Sequence, residues 1–251
     1  MAKPNLVFYD LKTTTPGLPI STNTWRVRLV LNFKQLPYET VWCERAEIAP
    51  TCIAAGIPPL DNYPDGSPHY TFPGFVDRTN PDAPVCLSES RKIIDYLEAT
   101  YPSPDPQRAL FPLETHAFQA IADEYVERIF TPMFKPLVKY GVALRQTEKD
   151  RVSFEKKHAP PGKTLKEVTL WGKERDEAYA RLREEFDKLA SFAEGDTFFS
   201  GENLRYLDIH VLGKFIVLKL SVGEEEFNRE LGNASGGRWS RLWKACEGLI
   251  H

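Results

Sequence analysis

The sequence predicts an α/β half followed by an all-helical half, and three observations carry that reading. Near the N-terminus a strand-like run, a helical run and a second strand-like run succeed one another at the spacing of a βαβ unit. A proline-dense segment, Pro102-Ser103-Pro104-Asp105-Pro106, then interrupts any regular structure, because each proline lacks an N–H and restricts its predecessor. Beyond it the apolar residues recur at helical steps.

The elements follow in order. Leu6 to Asp10 is a compact β-prone run, and the polar loop Lys12 to Ile20 leads away from it. From Thr24 or Trp25 to Lys34 the chain reads as helix, mixing Trp25, Val27, Leu29, Val30, Leu31 and Phe33 with Arg26, Arg28 and Lys34. Tyr38 to Trp42 is the second strand. Thr51 to His69 holds Pro58, Pro59, Pro64 and Pro68 as well as Gly56 and Gly66, so any helix there is expected to be short or irregular. Phe72 to Val76 reads as a third strand, Asp77 to Pro84 as turns, and Val85-Cys86-Leu87 as an edge strand. A helix opens at Glu89-Ser90, with Ile93, Ile94 and Leu97 on its apolar side and Arg91, Lys92 and Asp95 outside.

The domains are expected at residues 1–101 and 113–251, joined by a linker at 102–112. In the second half Thr115 to Phe130 reads as a helix whose continuation towards Arg145 is kinked or broken by Pro132 and Pro136. His158 to Gly162 is a loop. Tyr179, Leu182, Phe186, Leu189 and Ala193 form the stripe of a packed helix. On its other side Glu177 with Arg181, and Glu184 with Lys188, read as solvated pairs four residues apart. Leu207 to Leu220 is the most apolar run and is expected to be the central helix.

Composition excludes several classes. The chain of 251 residues, 42% hydrophobic and 27% charged, has the balance of a globular protein with core enough for two domains. A net charge of −3 without a basic block argues against a nucleic-acid partner. No apolar run approaches a membrane span, and no hydrophobic leader precedes the first strand. Cys43, Cys52, Cys86 and Cys246 are scattered, with no CxxC pair and no histidine at ligand spacing, so neither a metal site nor a disulfide framework is indicated. The expectation is a reduced, cytoplasmic protein.

Three segments could carry chemistry. The first is the helix start Ser21-Thr22-Asn23-Thr24, which offers unpaired N–H groups and the positive end of a helix dipole. A thiol placed there has its pKa lowered, and a hydroxyl can donate to the thiolate. Serine has no anion of its own at neutral pH, so the nucleophile would have to come with a co-substrate. The second is Phe72-Pro73, where a cis proline would leave the backbone of Phe72 to pair with a peptide ligand as an added strand. The third is Glu89-Ser90: a serine at a helix start can receive a carboxylate and an adjacent acid an ammonium, together a receptor for the end of an amino acid or peptide. Taken alone, each segment is also readable as a plain N-cap or an ordinary trans X-Pro bond.

In this order and spacing the segments resemble the cytosolic glutathione transferases over essentially the whole chain. The Glu-Ser-x-x-Ile-x-x-Tyr-Leu pattern at Glu89 to Leu97 is the strongest local signature. The run Ser21 to Leu31 is similar to the omega-type helix start Cys-Pro-Phe-x-x-Arg-x-Arg-Leu-Val-Leu, with Ser21 at the cysteine position. With Ala46 to Pro50 and Tyr70 to Pro73, the chain resembles the serine-type, etherase-related, fungal-specific FuA class. The resemblance implies a thioredoxin-like N-terminal domain and an all-α C-terminal domain contributing the hydrophobic acceptor site. It implies that Glu89 and Ser90 hold the γ-glutamyl end of glutathione and that Phe72, ahead of a cis Pro73, pairs with its cysteinyl residue. Ser21 would stabilise the thiolate, helped by Asn23, with Tyr9 at the end of the first strand as the alternative donor.

The same resemblance implies glutathione as co-substrate, no metal, hydrophobic or aromatic acceptors, a homodimer, and a role in detoxification with peroxidase or aryl-etherase-like activity. The alternative is a ligandin-type protein that sequesters aromatic or phenolic compounds. One departure from the family pattern is Arg205, which stands where a capping serine or threonine precedes Asp208. Tyr125, Phe130, Met133, Phe134 and Tyr140 are candidates for an aromatic acceptor pocket, or for core. Cys86 reads as a small buried residue and His210 as a satisfied core histidine.

Overall fold

A computed structural model describes residues 3–112, 115–193 and 195–251, apart from the Met133 side chain. Leu113, where the helical half is expected to begin, and the Met133 side chain therefore lie outside the described residues. The chain divides into two compact units. One comprises the residues up to Pro102 with Gln146–Asp150 and His251, and the other Ser103–Arg145 and Arg151–Ile250.

The first unit is built on β1 (Leu6–Leu11), buried at all of its positions, which forms with β2 (Tyr38–Cys43) a parallel pair connected through α1 (Thr22–Phe33). After α2 (Ile48–Ala55) and a small hairpin of β3 (Asp61–Asn62) and β4 (Pro68–His69), the strands β5 (Gly74–Asp77) and β6 (Val85–Ser88) add antiparallel. The order is β2-β1-β5-β6, so β6 is an edge, and α3 (Ser90–Thr100) follows it. This is the mixed sheet of a thioredoxin-like domain. The third strand starts at Gly74 rather than at Phe72: Pro73 has no N–H to give a ladder, and Gly74 is the first residue paired with β1.

Alternation along β1 separates two faces. Val7, Tyr9 and Leu11 pack with Cys43, Cys52, Ile57, Phe72 and Val76. On the other face Asp10, with no exposure, meets Arg28 at 3.5 Å, and the Arg28 guanidinium lies over the rings of Phe8, Tyr38 and Trp42 at 5.2, 5.7 and 5.0 Å. Burial pushes the Asp10 carboxyl up to about 6 despite that cation. Two polar tethers join α1 to α3: Arg26 Nη2 donates to Ser90 Oγ at 2.9 Å, and Lys34 Nζ to Glu98 Oε2 at 2.6 Å. The partners advance by the same eight residues on each helix, so α1 and α3 run alongside in a fixed register.

The second unit consists of α4 (His116–Leu144), α6 (Leu165–Val168), α7 (Gly172–Ser191), α8 (Tyr206–Val222), α9 (Glu224–Phe227) and α10 (Ala234–Cys246). Between α4 and α6 runs α5 (Glu148–His158), whose first residues cluster with the first unit. The helix α4 continues through Pro132 and Pro136 instead of ending there. Each proline forfeits one backbone bond, and packing along α8 holds the helical path regardless. The core is aromatic: Phe186 sits 5.3, 5.1 and 5.1 Å from the ring centres of Phe130, Phe215 and Trp239. The expected stripe Tyr179, Leu182, Phe186, Leu189 and Ala193 is buried, while Glu177, Arg181, Glu184 and Lys188 are exposed.

Ionisable groups between α4 and α8 are paired, whereas the buried Arg238 guanidinium has no hydrogen-bond partner among the described residues and lies over the Phe199 and Trp239 rings at 4.7 and 5.4 Å. His210, fully buried on α8, has Nδ1 2.5 Å from Asp123 and Nε2 3.0 Å from Glu127 on α4, and Lys214 lies 2.6 Å from the same Glu127 oxygen. Burial pushes the Glu127 carboxyl up, but His210 and Lys214 outweigh it and hold the group far below its ordinary range. Asp208 accepts from the Arg205 and Phe199 N–H groups, each at 2.9 Å. Arginine has no acceptor, so only this half of the capping box exists. The Arg205 guanidinium instead donates to the Gln107 carbonyl at 3.0 Å and to that of Ala109. Burial raises Asp208 to about 7 against those bonds and the nearby cation Arg238.

Two substitutions test this packing. A Cβ at Gly141 on α4 would lie 2.7 Å from the Cα of Ser221, a backbone atom that cannot swing aside. Gly141→Ala is expected to destabilise by about 1–3 kcal/mol or more, whereas Gly248→Ala, which meets nothing within 4 Å, stays near the parent in denaturant titrations. Asp208→Ala leaves the Phe199 and Arg205 N–H groups without their acceptor, and is expected to cost about 1–3 kcal/mol or more in the same titrations.

Candidate active site

The loop after β1 is tied down before it reaches α1. Thr13 Oγ1 donates to the Leu18 carbonyl at 3.0 Å, and the indole N–H of the buried Trp25 donates to the Pro19 carbonyl at 3.0 Å. That anchoring delivers Ser21 as the N-cap of α1 in extended conformation. Its Oγ accepts the Thr24 N–H at 3.5 Å, a long bond that leaves the hydroxyl proton uncommitted. Ser21 is half-buried and Asn23 exposed, so both present polar atoms at the open end of the helix.

The peptide bond between Phe72 and Pro73 is cis, and Phe72 is buried beside Tyr9, ring centres 6.4 Å apart. Among the described residues none hydrogen-bonds the Phe72 N–H or C=O, so this backbone edge is unpaired.

Glu89 caps α3 from a left-handed backbone, φ +75°, which is uncommon outside glycine and places strain at this junction. Its carboxylate accepts the Arg91 and Lys92 N–H groups at 2.8 and 3.0 Å. The acid therefore works first as the cap of its own helix. The Ser90 N–H, the remaining donor of that first turn, has no partner among the described residues. Ser90 Oγ accepts from Arg26 and lies 3.4 Å from Glu89 Oε1.

Arg26 joins the two helix starts. Its Nη2 donates to Asn23 Oδ1 at 2.8 Å and to Ser90 Oγ at 2.9 Å, and the residue is 6% exposed. Sequence reading counted Arg26 among the polar positions of a helix and missed this role. The available signal was the Asn23–Arg26 spacing of three, which places both on one side of a helix. Ser21, Asn23, Phe72, Pro73, Glu89 and Ser90 thus all fall at the ends of α1, β5 and α3, where backbone donors and acceptors are unpaired or held by side chains.

Other candidates fall elsewhere. Tyr9 is 5% exposed within the core cluster, and burial raises its hydroxyl above the ordinary value. Cys86 is half-buried, its Sγ 3.4 Å from the Ala55 carbonyl. Phe130 and Phe134 are buried against one another at 4.6 Å, whereas Tyr125 and Tyr140 are half-buried.

Comparison with known proteins completes the picture. The family model "Glutathione S-transferase, N-terminal domain" matches residues 16–105 and the model "Glutathione S-transferase, C-terminal domain" residues 117–249. The structure is similar to the glutathione S-transferase CsGST63524 of Ceriporiopsis subvermispora, solved in complex with glutathione, at 26% identity and a TM-score of 0.87 over 98% of both chains. It is similar to glutathione transferase GSTFuA3 from Phanerochaete chrysosporium at 28% identity and a TM-score of 0.85, over 99% of this chain and 98% of that one. Among curated proteins, the glutathione S-transferase-like protein ustS of Aspergillus flavus is 31% identical over 105 residues. That match covers 39% of this chain and 36% of the length of ustS. With both halves matched in order, and fungal FuA transferases among its structural neighbours, the chain belongs to the glutathione S-transferase family.

Proposed function

We propose that this protein is a serine-type transferase that binds glutathione on its first unit and conjugates it to hydrophobic or aromatic electrophiles. The observation that carries the reading is the pair of helix starts at Ser21 and Ser90, whose donors are not used up by their own caps. The Ser90 N–H and Oγ–H receive the γ-glutamyl carboxylate at the positive end of α3. Glu89, whose oxygens retain lone pairs beyond the two capping bonds, takes the ammonium group. The unpaired Phe72 backbone pairs with the cysteinyl residue as an added strand.

The thiol then sits at the N-terminus of α1, where the helix dipole favours the thiolate. Ser21 Oγ–H and the Asn23 amide N–H donate to it. After the thiol proton is lost to solvent, the thiolate sulfur attacks an electrophilic carbon and a C–S bond forms. An aryl halide or aryl ether releases its leaving group with the bonding pair, whereas an isothiocyanate takes the sulfur at its central carbon and a proton at nitrogen. A hydroperoxide is attacked at oxygen instead, its O–O bond breaks to release an alcohol, and a second glutathione reduces the sulfenic acid to the disulfide. On this reading residues 1–101 carry glutathione and 113–251 the acceptor side, with the half-buried Tyr125 and Tyr140 offering aromatic surface. Aryl halides, isothiocyanates, hydroperoxides and aryl ethers are the acceptor classes, and a cytoplasmic homodimer acting in detoxification is the setting.

Conjugation to an activated aryl chloride tests the assignment. Ser21→Ala is expected to lower kcat/KM by about tenfold to a thousandfold, the cost of one donor to a buried anion, with the Kd for glutathione within a few-fold of the parent. Tyr9→Phe is expected to change kcat/KM less than threefold. Unchanged turnover in Ser21→Ala with collapse in Tyr9→Phe would reassign the donor to Tyr9. Unchanged turnover in both would place the thiolate donor elsewhere, and an absence of turnover in the parent itself, with aromatic ligands still bound, would favour sequestration over catalysis.

A further inference from the structure

Arg26 makes a choice for its two partners that neither could make alone. A guanidinium carries donors only, so the Asn23 atom 2.8 Å from Nη2 is the carbonyl oxygen, and the amide NH2 is turned away from the arginine. The same nitrogen donates to Ser90 Oγ at 2.9 Å, so the lone pair facing Arg26 is occupied and the hydroxyl proton points elsewhere. Within the protein that proton has only the long 3.4 Å approach to Glu89 Oε1. Both side chains are amphoteric by nature: an amide can present oxygen or NH2, a hydroxyl can give or take. Asn23 is exposed at the first turn of α1 and could otherwise turn either face outward.

We propose that Arg26 is a positioning residue that sets the hydrogen-bond polarity of the glutathione site, holding Asn23 and Ser90 as donors towards the thiolate and the γ-glutamyl carboxylate. The inference rests on the functional reading above. Both groups are anions, so an acceptor turned towards either would repel it. Because Arg26 is 6% exposed, its hydrogen bonds are charge-assisted and sheltered from water, which fixes both orientations before the ligand arrives. The buried cation between the two helix starts also adds to the positive potential of their dipoles. Arg26 touches neither reacting atom in this scheme and acts through Asn23 and Ser90.

The test is a pair of double-mutant cycles on the full chain, with glutathione as ligand and an activated aryl chloride as acceptor. Arg26→Met is expected to raise the Kd for glutathione at least tenfold and to move the acidic limb of the kcat/KM profile, with the thiolate absorbance of bound glutathione, up by about half a pH unit or more. In an Asn23→Ala background the shift of the acidic limb should largely vanish. In a Ser90→Ala background the loss of affinity should largely vanish. Arg26→Lys keeps the charge and can still donate from one nitrogen to both oxygens, as Nη2 does. It is expected to keep most of the parent's affinity and pH profile at a melting temperature close to that of the parent, which keeps the test valid should Arg26→Met fold poorly. Penalties that persist undiminished in both backgrounds, or an Arg26→Lys protein that melts with the parent yet loses its affinity and pH profile, overturn the proposal. If Ser90→Ala alone leaves the Kd for glutathione unchanged, the fault lies with the functional reading and not with Arg26.

Discussion

Two guanidinium groups shut away from water fix the orientation of α1, and with it the open end on which the site is built. Arg26 and Arg28 are two residues apart, so on a helix they point about 200° away from each other. Arg28 goes down to the sheet, to Asp10 and the rings of Phe8, Tyr38 and Trp42, while Arg26 goes sideways to Ser90. A buried cation without partners costs several kcal/mol, of the order of a small domain's whole margin of stability, so rotation of α1 about its axis would forfeit both sets of contacts. The Lys34–Glu98 bond at the far end prevents sliding along α3. With rotation and translation both fixed, the direction in which Ser21 and Asn23 face follows.

Much of this was legible in the sequence, for a physical reason: wherever one side of an element is buried, periodicity records it. The βαβ start, the stripe from Tyr179 to Ala193 and the apolar run of α8 are all present where the residue pattern places them. What was not legible is what depends on partners distant along the chain. The helix α4 runs through two prolines because α8 packs along it, and no local rule contains that information. Asn23 and Arg26 are close in sequence, but Ser90 lies sixty-four residues beyond Arg26, and only folding reveals the bridge. The left-handed backbone of Glu89 was likewise invisible, since glutamate gives no signal for positive φ.

The seam between α4 and α8 handles buried charge in the opposite manner. In α1 each arginine is held by neutral oxygens, by rings or by one carboxylate. Between α4 and α8, His210 and Lys214 face Asp123 and Glu127 directly. Ion pairs of that kind contribute little net stability but strongly penalise misalignment, because slipping one turn leaves a charge unpaired in the core. Gly141 allows α4 to come within van der Waals reach of the Ser221 backbone. Close approach and charge pairing thus specify one register of α4 on α8, while the aromatic cluster around Phe186 supplies the burial.

The strain at Glu89 has a structural return. A left-handed non-glycine residue costs about 1–3 kcal/mol, and two charge-assisted bonds to the Arg91 and Lys92 N–H groups offset a similar amount. Had a serine capped α3 from ordinary extended backbone, its own oxygen would have taken an N–H of the first turn and its hydroxyl would have been spent. By moving the cap one residue earlier, onto a side chain long enough to reach two N–H groups, the chain frees the next hydroxyl and the first N–H of the helix together. Arg26 then blocks the acceptor side of that hydroxyl. What Ser90 turns outward is donor only, beside the acceptor carboxylate of Glu89, and at α1 the same arginine leaves Asn23 donor only as well. A surface with this polarity selects anions spaced along one small molecule, and the selection is made by how each side chain is held as much as by which side chains are present.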